Sequence, residues 1–291
     1  MEPNAFSGRT VGIIGGHGAF GRWCVHLFEQ AGCEVRSSDI GTELSNEDVA
    51  EWAEIVVLAV PIGVTAPVLE SVGPKLRTQK LLVELTSVKT PFERHLSALA
   101  CEVLSLHPMF SPSIRSCEGQ SCVVTRHRPA ATGDSLLALL HDRNISLVEM
   151  SVEEHDRTMA VIQGLTHFQA IAAAHCMNAL GFDLQKSLSV ASPVYRLRLS
   201  MIGRIIAQDP RLYAEIQMHN PYVSPVIEAL ASSSQTLADL IARKDLEAFI
   251  TEWGASKKAF GEFQHEALAE STELIEALRA IVARKKDSVA G

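Results

Sequence analysis

The sequence predicts an α/β part followed by an all-helical part, and two observations carry that prediction. Short β-rich apolar runs alternate with helical patterns as far as residue 150, and from Ser151 onward only helical patterns occur. The β-rich runs read TVGIIGG, CEVRSSD, EIVVLAVP, KLLVELTSV, CEVLSLHP, SCVVTRH and ISLVEM, with AFGRWCVHLFEQAG as the helical pattern after the first. Their apolar stretches are nearly unbroken, as in strands covered on both faces, so a parallel sheet built from strand–helix–strand units is expected.

The second part starts on its own signal. In SVEEHD, Ser151 and Glu154 stand three apart as a capping box. The spacing then predicts a long helix to Leu180 closed by Gly181, another over about 184–208 stopped by Asp209 and Pro210, and two or three more. The expected division is 1–150 and 151–291, with no linker between the domains.

Composition narrows the class. At 291 residues and 47% hydrophobic the chain has ample core, and a net charge of −8 without an extended basic block argues against a nucleic-acid partner. No secretory leader or bilayer-spanning apolar run is read, so no membrane association is expected. The six cysteines (24, 33, 101, 117, 122, 176) form no C-x-x-C pair and no zinc spacing. A cytoplasmic protein with reduced, mostly buried thiols and no metal is expected.

In VGIIGGHGAFGRW, Gly16, Gly18 and Gly21 satisfy G-x-G-x-x-G between a predicted strand and a predicted helix. That context suits a pyrophosphate on a helix N-terminus, and the first part is read as a Rossmann-type dinucleotide-binding domain. Asp39 ends the second β-rich run, where a carboxylate accepts from ribose hydroxyls and repels a 2′-phosphate. NAD is therefore expected over NADP, with Arg36 the nearby cation that opposes this reading.

His107 ends an apolar run and is followed by Pro108, which stops the strand and fixes the chain's exit at the sheet's carboxyl rim. The preceding run ends in TSVKTP and brings Ser87 and Lys89 to the same rim. In the helical part Arg196, Arg198 and Arg204 lie among apolar residues and require anionic partners. On one helix Arg196 and Arg204 stand about 80° and about 12 Å apart, able to line one side of a cleft, while Arg198 points away into solvent. His167 lies on a face rich in Ala and Gly.

Taken together, VGIIGGHGAFGRW, VLAVPIGVT, VELTSVKTPF, LSLHPMFSPS, EEHDRTMAVIQGLTHF and SPVYRLRLSMIGRIIAQDPRLYAEI resemble the prephenate dehydrogenase family over about residues 10–263. The resemblance implies NAD-dependent oxidative decarboxylation of a cyclohexadienyl substrate. His107 would remove the proton of the ring 4-substituent, with Ser87 as a second contact and Lys89 near the reacting groups. Arg204 would hold a substrate carboxylate, Arg196 would support it, and His167 would line the site. Gly16, Gly18, Phe20, Gly21, Asp39, Val60 and Pro61 would meet the cofactor, and the helical domain would form a homodimer. A freestanding enzyme is expected from the position of the first run at Thr10. The resemblance leaves prephenate, 4-amino-4-deoxyprephenate and arogenate open as substrates. A cofactor-binding regulator without catalysis is a reading of another class, which His107 and Arg204 argue against.

Overall fold

The computed structural model describes residues 6–114 and 116–290. Its elements in chain order are β1 (Thr10–Ile14), α1 (Ala19–Gln30), β2 (Glu34–Ser38), α2 (Asn46–Trp52), β3 (Ile55–Leu58), α3 (Ile62–Val72), β4 (Leu81–Glu84), α4 (Glu93–Ala98), β5 (Glu102–Pro108), β6 (Ser121–Arg128), α5 (Ala131–His141) and β7 (Ser146–Glu149). There follow α6 (Val152–Met159), a π-helical turn (Ala160–Leu165), α7 (Thr166–Ala179), α8 (Leu184–Ser189), α9 (Pro193–Ile206), α10 (Pro210–His219), α11 (Val223–Arg243), α12 (Leu246–Phe260) and α13 (Phe263–Ala290).

The strands form one seven-stranded sheet in the order β2-β1-β3-β4-β5-β6-β7. Each buried strand sends alternate side chains to opposite faces. Ile13, Val57 and Val83 join the cluster that holds Cys24, Leu27 and Phe28 of α1 and Leu136 and Leu140 of α5. Ile14, Val56 and Leu82 join the other, with Val49 of α2, Ile62 and Leu69 of α3, Leu96 of α4 and Ile216 of α10. Helices cover both faces, which is why the strands read as unbroken apolar runs.

The expected parallel sheet needs one correction. β1 to β5 are parallel, but β6 runs antiparallel to β5, with His107 opposite Val123, and β7 is parallel to β6. Among the described residues of 109–120 no helix could serve as a crossover, and the chain turns back. The carboxyl ends of β1, β3, β4 and β5 therefore share one rim. β5 outruns β4 there, because Ser105 is already level with Glu84, the last residue of β4.

The helical expectations are also refined. The long helix to Leu180 is interrupted by the π turn Ala160–Leu165, and the helix expected over about 184–208 is two helices. Ser192 accepts the Tyr195 N–H and Pro193 takes the first helical position, so α9 nucleates on its own cap. Among the described residues four helices, α10 to α13, follow where two or three were expected.

Two compact units result, and they differ from a cut at residue 150. One runs up to Ile162 and also takes Arg211–Val223; the other comprises Gln163–Pro210 and the chain from Ser224. α6 stays with the first unit because its residues are bonded to the loop after β4, as described below. Cys24, Cys101 and Cys122 are buried, but Cys176 is exposed, so the thiols are not uniformly interior. Among the described residues no helix is long and apolar enough to cross a membrane.

Candidate active site

The glycine loop is built for a close backbone approach. Gly15 has φ +86, and a Cβ there would stand 2.5 Å from the Ala59 carbonyl, while a Cβ on Gly21 would collide with the Gly15 carbonyl. α1 begins at Ala19 with no side-chain cap and no acid in its first turn, so its terminal N–H groups face the loop without an internal anion. Phe20 packs on Trp23 and on Phe110, its ring centroid 6.3 Å from each, which ties the start of α1 to the chain leaving His107.

Asp39 lies at the end of β2 and reaches the same loop. Its carboxylate accepts the His17 N–H at 2.7 Å and the Ile40 N–H at 2.7 Å. Arg36, the cation that opposed the NAD expectation, is turned elsewhere: its guanidinium lies 4.1 Å over the Trp52 ring and bonds Glu34 at 3.0 Å. Val60 and Pro61 form the turn between β3 and α3, with Pro61 at the N-cap position.

His107 sits at the rim as expected, and it does not stand alone. Its Nδ1 is 2.9 Å from His155 Nε2, and His155 Nδ1 is 2.7 Å from Asp156 Oδ1. His107 is 4% exposed, and His155 and Asp156 are fully buried. The Asp156 carboxylate also accepts the Lys89 N–H at 2.9 Å and the Thr90 N–H at 2.7 Å. Burial alone would raise that carboxyl, but the bonds from His155, Thr90 and Lys89 hold it below its ordinary value.

These partners settle which nitrogens carry protons. An ionised Asp156 only accepts, so His155 Nδ1 donates to it. Burial lowers the His155 pKa, with partial compensation from Asp156, so His155 is neutral and its Nε2 accepts. His107 must then donate from Nδ1, which leaves the lone pair on its Nε2. Burial first, then the charge of Lys89, push the His107 pKa well below 6.5, and any protonation of His155 would push it further the same way. The arrangement yields a neutral imidazole with a basic Nε2 at the sheet's rim.

Lys89 acts on that imidazole by its field. Its ammonium is fully buried and donates to Glu84 at 2.8 Å, to the Thr86 carbonyl at 2.7 Å and to the Leu106 carbonyl at 3.0 Å. All three of its protons are committed to protein acceptors, so Lys89 works beneath the site rather than as a contact group within it. Ser87 is half-buried in the same β4 loop.

In the helical unit, His167 follows the π turn and is half-buried, and burial lowers its pKa. Arg196 is half-buried, whereas Arg198 and Arg204 are exposed, and among the described residues none of the three makes an ion pair. Among the described residues no cluster of three His, Cys, Asp or Glu side chains could hold a metal.

Comparison with known proteins decides the family. The family model "Prephenate dehydrogenase, nucleotide-binding domain" matches residues 29–125, and "Prephenate dehydrogenase, dimerization domain" matches 151–253. A "T-protein" of Haemophilus influenzae is 31% identical over 283 residues, covering 94% of this chain and 75% of that protein. The chain belongs to the prephenate dehydrogenase family. A "Probable arogenate/prephenate dehydrogenase" of Methanocaldococcus jannaschii is 32% identical over 87% of this chain, which spans 61% of that protein's length. A "4-amino-4-deoxyprephenate dehydrogenase" of Streptomyces pristinaespiralis is 27% identical over 90% of this chain and 94% of its own. Among solved structures, the prephenate dehydrogenase of A. aeolicus in complex with hydroxyphenyl propionate and NAD+ has the same fold, with a TM-score of 0.71 at 20% identity over 89% of this chain and 99% of its own.

For a prephenate dehydrogenase family member, His155 and Asp156 are the residues that sequence reasoning passed over. They sit inside SVEEHD, whose Ser151 and Glu154 explain the segment as a helix start, and Glu154 does accept the Ser151 N–H at 2.9 Å. The pair is recognisable only once the β4 loop and β5 are seen against α6.

Depressed imidazole pKa values make stability depend on pH with a definite sign. The unfolded chain takes up protons near pH 6.5, whereas folded His107, His127, His155 and His167 resist them. Below about pH 6.5 the unfolded state binds more protons, so stability falls as pH falls. The urea midpoint is expected to drop between about pH 7.5 and about pH 5.5, and His155→Gln is expected to shrink that drop.

Proposed function

We propose that this protein catalyses the NAD-dependent oxidative decarboxylation of prephenate to 4-hydroxyphenylpyruvate. The observation that carries the reading is the buried Asp156–His155–His107 chain ending at the carboxyl rim of the sheet that holds the glycine loop. NAD fits the residues present: Gly16, Gly18 and Gly21 let backbone approach a pyrophosphate, Phe20, Val60 and Pro61 flank it, and Asp39 is placed for ribose hydroxyls while Arg36, the cation closest to it in sequence, is held on Trp52 and Glu34. When bound, the nicotinamide is the acceptor for the hydride that leaves ring carbon 4.

His107 Nε2 takes the 4-hydroxyl proton as that hydride leaves, because a hydroxyl that keeps its proton would become a cationic centre. His107 is then an imidazolium whose Nδ1–H still donates to His155, and the negative charge of Asp156 is felt through the chain. Loss of the ring carboxylate as carbon dioxide leaves its electron pair in the ring, which becomes aromatic. The proton returns from His107 to the phenolate oxygen. Ser87 is the second contact to the 4-substituent, and Lys89 sets the basicity of His107 from below. Arg204 holds a substrate carboxylate with support from Arg196, and His167 lines the site.

A second reading is oxidation of 4-amino-4-deoxyprephenate. The S. pristinaespiralis relative, matched over 94% of its length, speaks for it, and an amine and a hydroxyl are alike in size and in bonding to imidazole. Arogenate differs only at the side chain, away from His107.

The helical unit also supports a homodimer, which we place in the cytoplasm as part of the same proposal. It leaves Val190 82%, Leu180 75% and Trp253 67% exposed, and residues 151–253 match the dimerization domain. A dimer mass by sedimentation at micromolar protein is expected; a monomer overturns this assignment.

Absorbance at the reduced-nicotinamide band with prephenate, arogenate and 4-amino-4-deoxyprephenate side by side tests the reaction. Prephenate is expected to give the highest kcat/KM, and His107→Asn to lower kcat by about 100-fold or more. No reduction with any of the three, or wild-type turnover by His107→Asn, contradicts the assignment. For Arg204→Gln the KM for substrate is expected to rise about tenfold or more with a smaller change in kcat. An unchanged KM removes Arg204 from carboxylate binding.

A further inference from the structure

Helix α3 begins without a cap of its own. Pro61 stands at its N-cap position, no side chain of the helix caps it, and its first turn carries no acid. The cap arrives from 152 residues away: the Glu215 carboxylate on α10 accepts the Gly63 N–H at 3.1 Å. Beside it, Ile216 is 5% exposed and packs in the cluster that contains Ile62 and Leu69 of α3. At the far end of α10, Asn220 donates to the Asp156 carbonyl at 2.8 Å and accepts the Tyr222 N–H at 2.9 Å. α10 is thus pinned at its middle and just past its C-terminus to the unit that carries the glycine loop and the two imidazoles.

The first turn of α3 matters because of what it adjoins. The Ala59 N–H donates to the Ile14 carbonyl at 2.8 Å, and the Ala59 carbonyl is the atom that a side chain on Gly15 would strike. The 59–61 turn therefore packs directly on the glycine loop. Moving Ile62 and Gly63 moves Val60 and Pro61, and with them one wall of that loop.

We propose that Glu215 is a positioning residue for the dinucleotide, acting through Gly63 to fix the Val60–Pro61 turn. The proposal rests on the nucleotide reading given above. Gly63 is matched to the role: a Cβ there would lie 2.8 Å from Glu215 Oε1, so Gly63→Ala displaces the carboxylate from the opposite side of the same contact.

The test is calorimetric titration with NAD+ of the wild type, Glu215→Ala, Glu215→Gln, Gly63→Ala and the Glu215→Ala/Gly63→Ala double variant, below the melting temperature of each. Loss of a helix cap transmitted to the loop is expected to raise the Kd about five- to tenfold in Glu215→Ala and in Gly63→Ala. Glu215→Gln keeps an acceptor oxygen and is expected within about twofold of wild type, and the double variant to bind no worse than either single one. Singles that lower Tm but bind NAD+ like wild type show a cap with purely structural effect and overturn the proposal, as does an additive double variant. If Glu215→Ala does not fold, Gly63→Ala reads the same contact. A wild type that does not bind NAD+ sinks the nucleotide reading itself, a result distinct from equal binding by all five proteins.

Discussion

The Asp156 carboxylate is sealed from solvent and accepts hydrogen bonds from two backbone N–H groups of the loop after β4 and from the imidazole of His155. A buried carboxylate stripped of such partners costs about 1–3 kcal/mol or more per lost bond, so the loop, α6 and the imidazole pair are held as one assembly. Asn220 joins it through the Asp156 carbonyl. Because Asp156 can only accept, the direction of every bond in the chain is set, and His107 presents its basic nitrogen without choosing between tautomers.

Charge beneath the site works in the same sense. The buried Lys89–Glu84 pair at 2.8 Å has its remaining hydrogen-bonding capacity taken up by the Thr86 and Leu106 carbonyls and the Thr86 N–H, the condition under which a buried ion pair is tolerable. Its net effect on His107 is to oppose protonation, which together with burial keeps the imidazole neutral at rest. The antiparallel β6 completes the setting by burying His107 on its outer side, against Val123.

Much of this was readable from residue order. The glycine loop, Asp39 and the strand ending in His107 are local patterns: a few adjacent residues declare a turn, a carboxylate at a strand end, a strand stopped by proline. The features that escaped are those whose cause is distant or ambiguous. His155 and Asp156 lie in a helix-start signal that already has a sufficient explanation. The antiparallel turn of β6 depends on the absence of a crossover helix, which an apolar run does not announce. The π turn leaves no mark in a pattern read at 3.6 residues per turn, and the start of α9 was hidden because Ser192 and Pro193 fall inside a continuous-looking helical stretch. The cap on α3 comes from 152 residues downstream and has no local signature at all.

The position of Arg36 bears on how this chain could change over evolutionary time. Stacked on Trp52 and bonded to Glu34, it is unavailable at the end of β2, where Asp39 faces the glycine loop. If Asp39 meets the ribose as proposed, replacing it with a neutral residue would lift the repulsion of a phosphorylated ribose, but Arg36 would supply no attraction while its guanidinium stays on its indole. On that reading, acquiring a taste for the phosphorylated cofactor asks for more of this surface than the loss of one carboxylate, because Arg36 would also have to leave its indole.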